Sequence, residues 1–80
     1  MLEAFKTAKK AVGVKQVGRA LRSGQATFVC LAQDADPKVT EPIALLCEKQ
    51  SIPMEWVKTM AELGKACGIA VGSAVAALVE

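Results

Sequence analysis

LGKACGIAVG, residues 63–72, runs into SAVAALV, residues 73–79, and reads as three pieces in a row. A charged helix ends at a glycine. A short loop without charge follows, and then a strand with almost no polar residue. Working back toward the N-terminus, Thr59-Met60-Ala61-Glu62 is a capping box that starts this helix, which the spacing ends at Gly68. Before it, residues 52–57 predict a strand, with Pro53 placing it toward a sheet edge. Residues 40–50 predict a helix. Asp36 as N-cap and Pro37 at the first helical position announce it. Pro42 removes an interior hydrogen bond, so an irregular first turn is expected before Thr40.

Further upstream, residues 27–32 (TFVCLA) are β-branched and apolar, as in a strand buried on both faces. Val14 to Ser23 predicts a helix that turns Val14, Val17 and Leu21 inward and stops at Gly24. Ala11-Val12-Gly13 is a short bridge or edge strand, and residues 2–11 predict a basic helix with Leu2, Phe5 and Ala8 inward. The last strand is expected from Gly72 to Val79. Strands therefore alternate with helices along one domain of residues 1–80. The fold class is α/β: a three-layer α/β/α sandwich with a four-stranded mixed sheet.

Composition narrows the function. The chain has 80 residues and 52% apolar content, enough for an economical core. Phe5, Phe28 and Trp56 are its aromatics, too few for base stacking on an aromatic sheet face. Net charge is +2, unevenly placed: residues 1–25 carry +5 and residues 26–80 carry −3. That asymmetry points to an anionic partner near the N-terminal end. Cys30, Cys47 and Cys67 form no CxxC, and the chain has no His. Thioredoxin-like redox chemistry and Cys-His or Ser-His catalysis are thereby excluded, together with most zinc sites. The cysteines are expected to be buried, reduced thiols, which places the chain in the cytoplasm. The charge-free residues 66–79 are too short to span a bilayer. Gly64-Lys65 is not part of a GxxxxGK[ST] phosphate loop. Asp34, Asp36 and Glu41 could suggest a magnesium site, but capping explains Asp36 better. No cofactor or metal is expected.

Two segments carry the candidate site. In GVKQVGR, residues 13–19, Gly13 opens a helix whose first N–H groups are available to an anion. Lys15, Arg19 and Arg22 fall at i, i+4 and i+7 on one stripe, with Gln16 beside them. Gln and Lys side chains can read base edges, whereas on their own they also make an ordinary solvated helix face. In the second segment, Ile69, Ala70 and Val71 between glycines either pack inside or cover something apolar, such as a nucleobase.

These residues resemble the kink-turn-binding ribosomal proteins of the L-seven-Ae and L-thirty-e type, in their short bacterial form. The resemblance spans essentially the whole chain. Its landmarks are Gly13-Val14-Lys15-Gln16 with Arg19, Ala32 through Asp34-Ala35-Asp36-Pro37, Leu45-Leu46-Cys47-Glu48 before Ile52-Pro53, and Leu63-Gly64-Lys65-Ala66-Cys67-Gly68. The resemblance implies that Gly13, Lys15, Gln16 and Arg19 meet the guanines of tandem sheared G·A pairs in a kinked stem. It implies that Ile69, Ala70 and Val71 cover a flipped-out nucleotide, with Asp36 near that nucleotide and Lys65 near the backbone. Two positions depart from the family pattern. Lys15-Gln16 stands where archaeal members have Asn-Glu, and Gly72 stands where a proline is common. The expected function is non-catalytic recognition of kink-turn RNA by a monomer. The alternatives are a structural large-subunit ribosomal protein or a protein-interaction module on the same fold.

Overall fold

A computed structural model describes Phe5 and residues 9–80. The helix expected over residues 2–11 lies largely outside the described residues, Leu2 and Ala8 included. Phe5 is helical and fully buried, and the chain is already a strand by Lys10. The elements are β1 (Lys10–Val12), α1 (Val14–Arg22), β2 (Ala26–Ala32), α2 (Pro37–Gln50), β3 (Met54–Val57), α3 (Met60–Ala66) and β4 (Val75–Val79).

The sheet order is β1-β4-β2-β3. β4 is antiparallel to both β1 and β2, while β2 and β3 are parallel. The sheet is therefore mixed, as expected. The connections β1-α1-β2 and β2-α2-β3 both join parallel strands and move the same way across the sheet. A common right-handed crossover then puts α1 and α2 on the same face. The connection from β3 to β4 takes α3 to the other face.

Side chains alternate accordingly. Val29 and Leu31 of β2, with Val75 and Ala77 of β4, pack under Val17, Ala20 and Leu21 of α1 and Ile43 and Cys47 of α2. Cys30, Ala32 and Ala76 point the opposite way, to Phe5, Val57, Leu63 and Cys67. Both faces of β2 and β4 are covered, which is why those strands are apolar at almost every position. A register irregularity between Ala26 and Phe28 lets Ala26 join the α1–α2 side and leaves Thr27 exposed.

Four expectations change in detail. β3 begins at Met54 rather than Ile52, after Pro53, which has no N–H to give to a ladder. Val14 is exposed, because it lies at the first position of α1, beyond the edge of the core. α2 is regular from Pro37 through Pro42. The hydrogen bond that Pro42 omits lies on an exposed part of the helix, where water can satisfy the freed carbonyl. β4 begins at Val75 rather than Gly72, since the Ser73 N–H is donated to the Met60 carbonyl of α3 (3.0 Å) instead of to a neighbouring strand. Among the described residues, no helix is long and apolar enough to cross a membrane.

Candidate functional site

The sheet register places the two candidate segments at the same end of the sheet. β1, β2 and β3 all end where β4 begins, as the pairs Val12 with Ala76, Leu31 with Val75 and Ala32 with Val57 show. The helices α1, α2 and α3 therefore start at this one end of the sheet, with their positive dipole ends toward it. The Gly13 N–H donates to the Val75 carbonyl (3.1 Å), joining the start of α1 to the end of the 67–74 loop. The Ala32 N–H donates to the Ala74 carbonyl (2.9 Å) and the Gln33 N–H to the Val57 carbonyl (2.8 Å). Four connecting segments are thus gathered at one rim.

Gly13 has φ +97° and ψ 157°, a backbone conformation that strains any residue with a Cβ. Being glycine, it offers no side-chain cap to α1, so the helix opens without one. The Gln16 Oε1 lies 4.0 Å from where a Gly13 Cβ would stand, so this side chain is folded back over the helix start. Lys15, Gln16 and Arg19 are exposed, and the opposite face of α1 is buried through Val17, Ala20 and Leu21. No acidic residue lies in the first turn of α1. The exposed surface of this helix thus combines cations, an amide and an uncapped positive dipole end. Arg22 extends it: its guanidinium lies over Gly18, with Nη1 3.1 Å from the position a Cβ would take there.

The loop 69–71 is on the surface. Val71 is 71% exposed and Ile69 37%. The loop is nevertheless seated on α3. The Ile69 N–H donates to the Gly64 carbonyl (3.1 Å), and the Val71 carbonyl lies directly against Gly64, where no side chain could fit. Ser73 closes the loop, donating its hydroxyl to the Val75 carbonyl (2.7 Å). Lys65 is exposed in the last turn of α3.

Asp36 is at the same rim and serves as the N-cap of α2, where its carboxylate accepts from the Lys38 N–H (2.9 Å). Its neighbour Asp34 has a role the sequence did not disclose. The Asp34 Oδ1 accepts from the Met60 N–H (2.8 Å), across 26 residues, at the first position of α3. No local pattern could have signalled a contact that depends on bringing β2 and β3 together. The three cysteines are buried and free. Burial, reinforced by Glu55 and Cys67, pushes the Cys30 thiol up to about 12. Burial raises Cys47 and Cys67 as well, the latter opposed by Lys10. Such thiols are poor nucleophiles and poor metal ligands at neutral pH. Among the described residues, no group of three or more His, Cys, Asp or Glu is placed to hold a metal ion.

The Ribosomal protein L7Ae/L30e/S12e/Gadd45 family model matches residues 1–80. The chain belongs to this family. RNA-binding protein YbxF of Geobacillus stearothermophilus is 40% identical over 72 residues, covering 90% of this chain and 88% of that protein. An RNA-binding protein of Caldanaerobacter subterraneus subsp. tengcongensis is 41% identical over 69 residues, covering 86% of this chain and 84% of its own. Among solved structures, the Giardia lamblia 15.5kD RNA binding protein superposes with a TM-score of 0.88 at 27% identity, over 99% of this chain and 70% of that one. A superposition of that quality over 99% of this chain gives the two proteins the same fold.

Proposed function

We propose that this protein binds structured RNA containing a kink-turn, as a monomer in the cytoplasm and without catalysis. The observation that carries the reading is the juxtaposition at one rim of an uncapped, cationic helix start with an exposed apolar loop. An RNA bend offers the matching pair of surfaces: crowded phosphates with accessible guanine edges, and an unstacked base. In this reading Gly13 allows close backbone approach, Lys15 and Arg19 engage phosphate and guanine, and Gln16 accepts from a guanine edge. Ile69, Ala70 and Val71 cover the unstacked nucleotide. Lys65 lies near the backbone, and Asp36, with one oxygen occupied by the α2 cap, stands near the same base. RNA-binding relatives in the same family support this assignment.

Calorimetric titration of a kink-turn RNA and a plain duplex of equal length tests it. Gln16→Ala and Arg19→Ala are each expected to weaken kink-turn binding by about 1–3 kcal/mol. Gln16→Glu is expected to tighten it, because a carboxylate makes a charge-assisted bond to a guanine edge, while duplex affinity stays level or falls. Equal affinity of the wild type for both RNAs would reject kink-turn recognition. Absence of any RNA affinity would favour a protein-interaction module, and stoichiometric co-sedimentation with ribosomes would favour a ribosomal subunit.

A further inference from the structure

The exposed apolar loop needs a support, and α3 is a weak one by itself. It has seven residues, about two turns, below the length at which an isolated helix holds its shape. Two contacts at its N-terminus come from outside the helix. Thr59 accepts from the Glu62 N–H (3.0 Å), the ordinary local cap. Asp34, from the segment after β2, accepts from the Met60 N–H (2.8 Å). The same Met60 residue holds the far end of the loop. Its carbonyl accepts from the Ser73 N–H (3.0 Å), and a Cβ on Gly72 would stand 3.1 Å from its carbonyl carbon and from its Cβ. Asp34, Met60 and Ser73 therefore form a continuous line of hydrogen bonds from the β2–α2 segment, through the first residue of α3, to the entry of β4. The near end of the loop is held by the Gly64 carbonyl, one turn along the same helix.

We propose that Asp34 is a positioning residue for the loop 69–71: its carboxylate fixes the start of α3, and α3 fixes the loop. The proposal deepens the RNA-binding reading and rests on it for the consequence in binding, though not for the consequence in the free protein. The chemistry suits the task. A carboxylate at a helix N-terminus makes a charge-assisted bond and complements the dipole. Asp34 is exposed, so its negative charge by itself opposes an RNA ligand. Removing it should therefore have opposite effects on the two kinds of RNA. Non-specific duplex binding gains from the lost charge. Kink-turn binding loses the seated loop.

The experiment compares Asp34→Ala and Asp34→Asn with the wild type, first by amide exchange in the free protein and then by binding kinetics. Asp34→Ala is expected to speed exchange at Met60, Ile69 and Ser73 by about tenfold, the effect of losing one charge-assisted hydrogen bond. Val29 and Leu31 in β2 should be unchanged. Asp34→Asn, whose amide oxygen can still accept, should restore most of the protection. On a kink-turn RNA, Asp34→Ala should dissociate about tenfold faster while plain-duplex affinity holds or rises. Unchanged exchange in the loop would overturn the proposal, as would a uniform increase across β2, which marks general destabilisation. A wild type with no preference for kinked RNA would defeat the functional reading and leave the exchange result to decide the clamp.

Discussion

A Cβ on Gly64 would overlap the Val71 carbonyl oxygen, which is backbone and cannot swing away. Gly64→Ala must therefore shift the loop off α3. The expected cost is about 1–3 kcal/mol, typical of overpacking, read from the midpoint of a urea unfolding curve. Gly18 is the opposite case. It is helical, and the atoms nearest its absent Cβ belong to the guanidinium of exposed Arg22. That group can move aside, so Gly18→Ala is expected to stabilise by roughly 0.5–1 kcal/mol through helix propensity. The same denaturation series should show the two variants moving in opposite directions. Neither outcome is legible from the sequence, where both positions are glycines in helices. The difference lies in what each methyl group would meet.

At the level of elements, the local signals were strong where they were chemical. Asp36 with Pro37 starts α2, and Thr59 with Glu62 starts α3, because caps act within one turn. The bounds of β3 and β4 were less legible, since a strand ends where its partner's hydrogen bonds end. Residues 72–74 carry no charge and run straight into the strand, yet Ser73 bonds to α3. The loop before them also separates two readings that the sequence left open. Ile69 is 37% exposed, so it does not plug the core. Ile69→Asp is accordingly expected to fold with a melting temperature close to wild type and to lose kink-turn affinity. Loss of the folded state in circular dichroism would show that its buried part supports the sheet. Protection of these amides on adding RNA is the corresponding expectation for the unmodified loop.

For the molecule as a whole, the buried thiols are expected to lower stability at alkaline pH. An unfolded thiol ionises near 9.0, whereas Cys30 in the fold holds its proton to about 12, chiefly because burial disfavours the thiolate. The folded state binds more protons than the unfolded state in that window, so stability falls as pH rises through it. Stability should be level in this respect below about pH 9 and decline toward pH 12, with Cys47 and Cys67 acting in the same direction. Chemical denaturation at a series of alkaline pH values checks this. A variant with all three cysteines replaced by Ala should begin less stable, through lost packing, and show a shallower decline. A wild-type curve flat to pH 11 would contradict the burial of these thiols.

Element order, the alternation of apolar faces and the chemistry of the helix starts followed from the chain alone, because each depends on residues within a few positions of one another. The family resemblance, resting on ordered short motifs, was legible for the same reason. Only the tertiary structure decided which elements share a face and which segments share a rim. The strand order β1-β4-β2-β3 depends on pairing across the whole chain: β4, last in sequence, sits between β1 and β2. That insertion brings Val75 to Gly13 and sets the 69–71 loop at the same rim as the start of α1, while the parallel pairing of β2 with β3 carries Asp34 to Met60. Hydrogen bonds across 62 and 26 residues have no local signature; they exist because the sheet closes over a core that both helical layers cover.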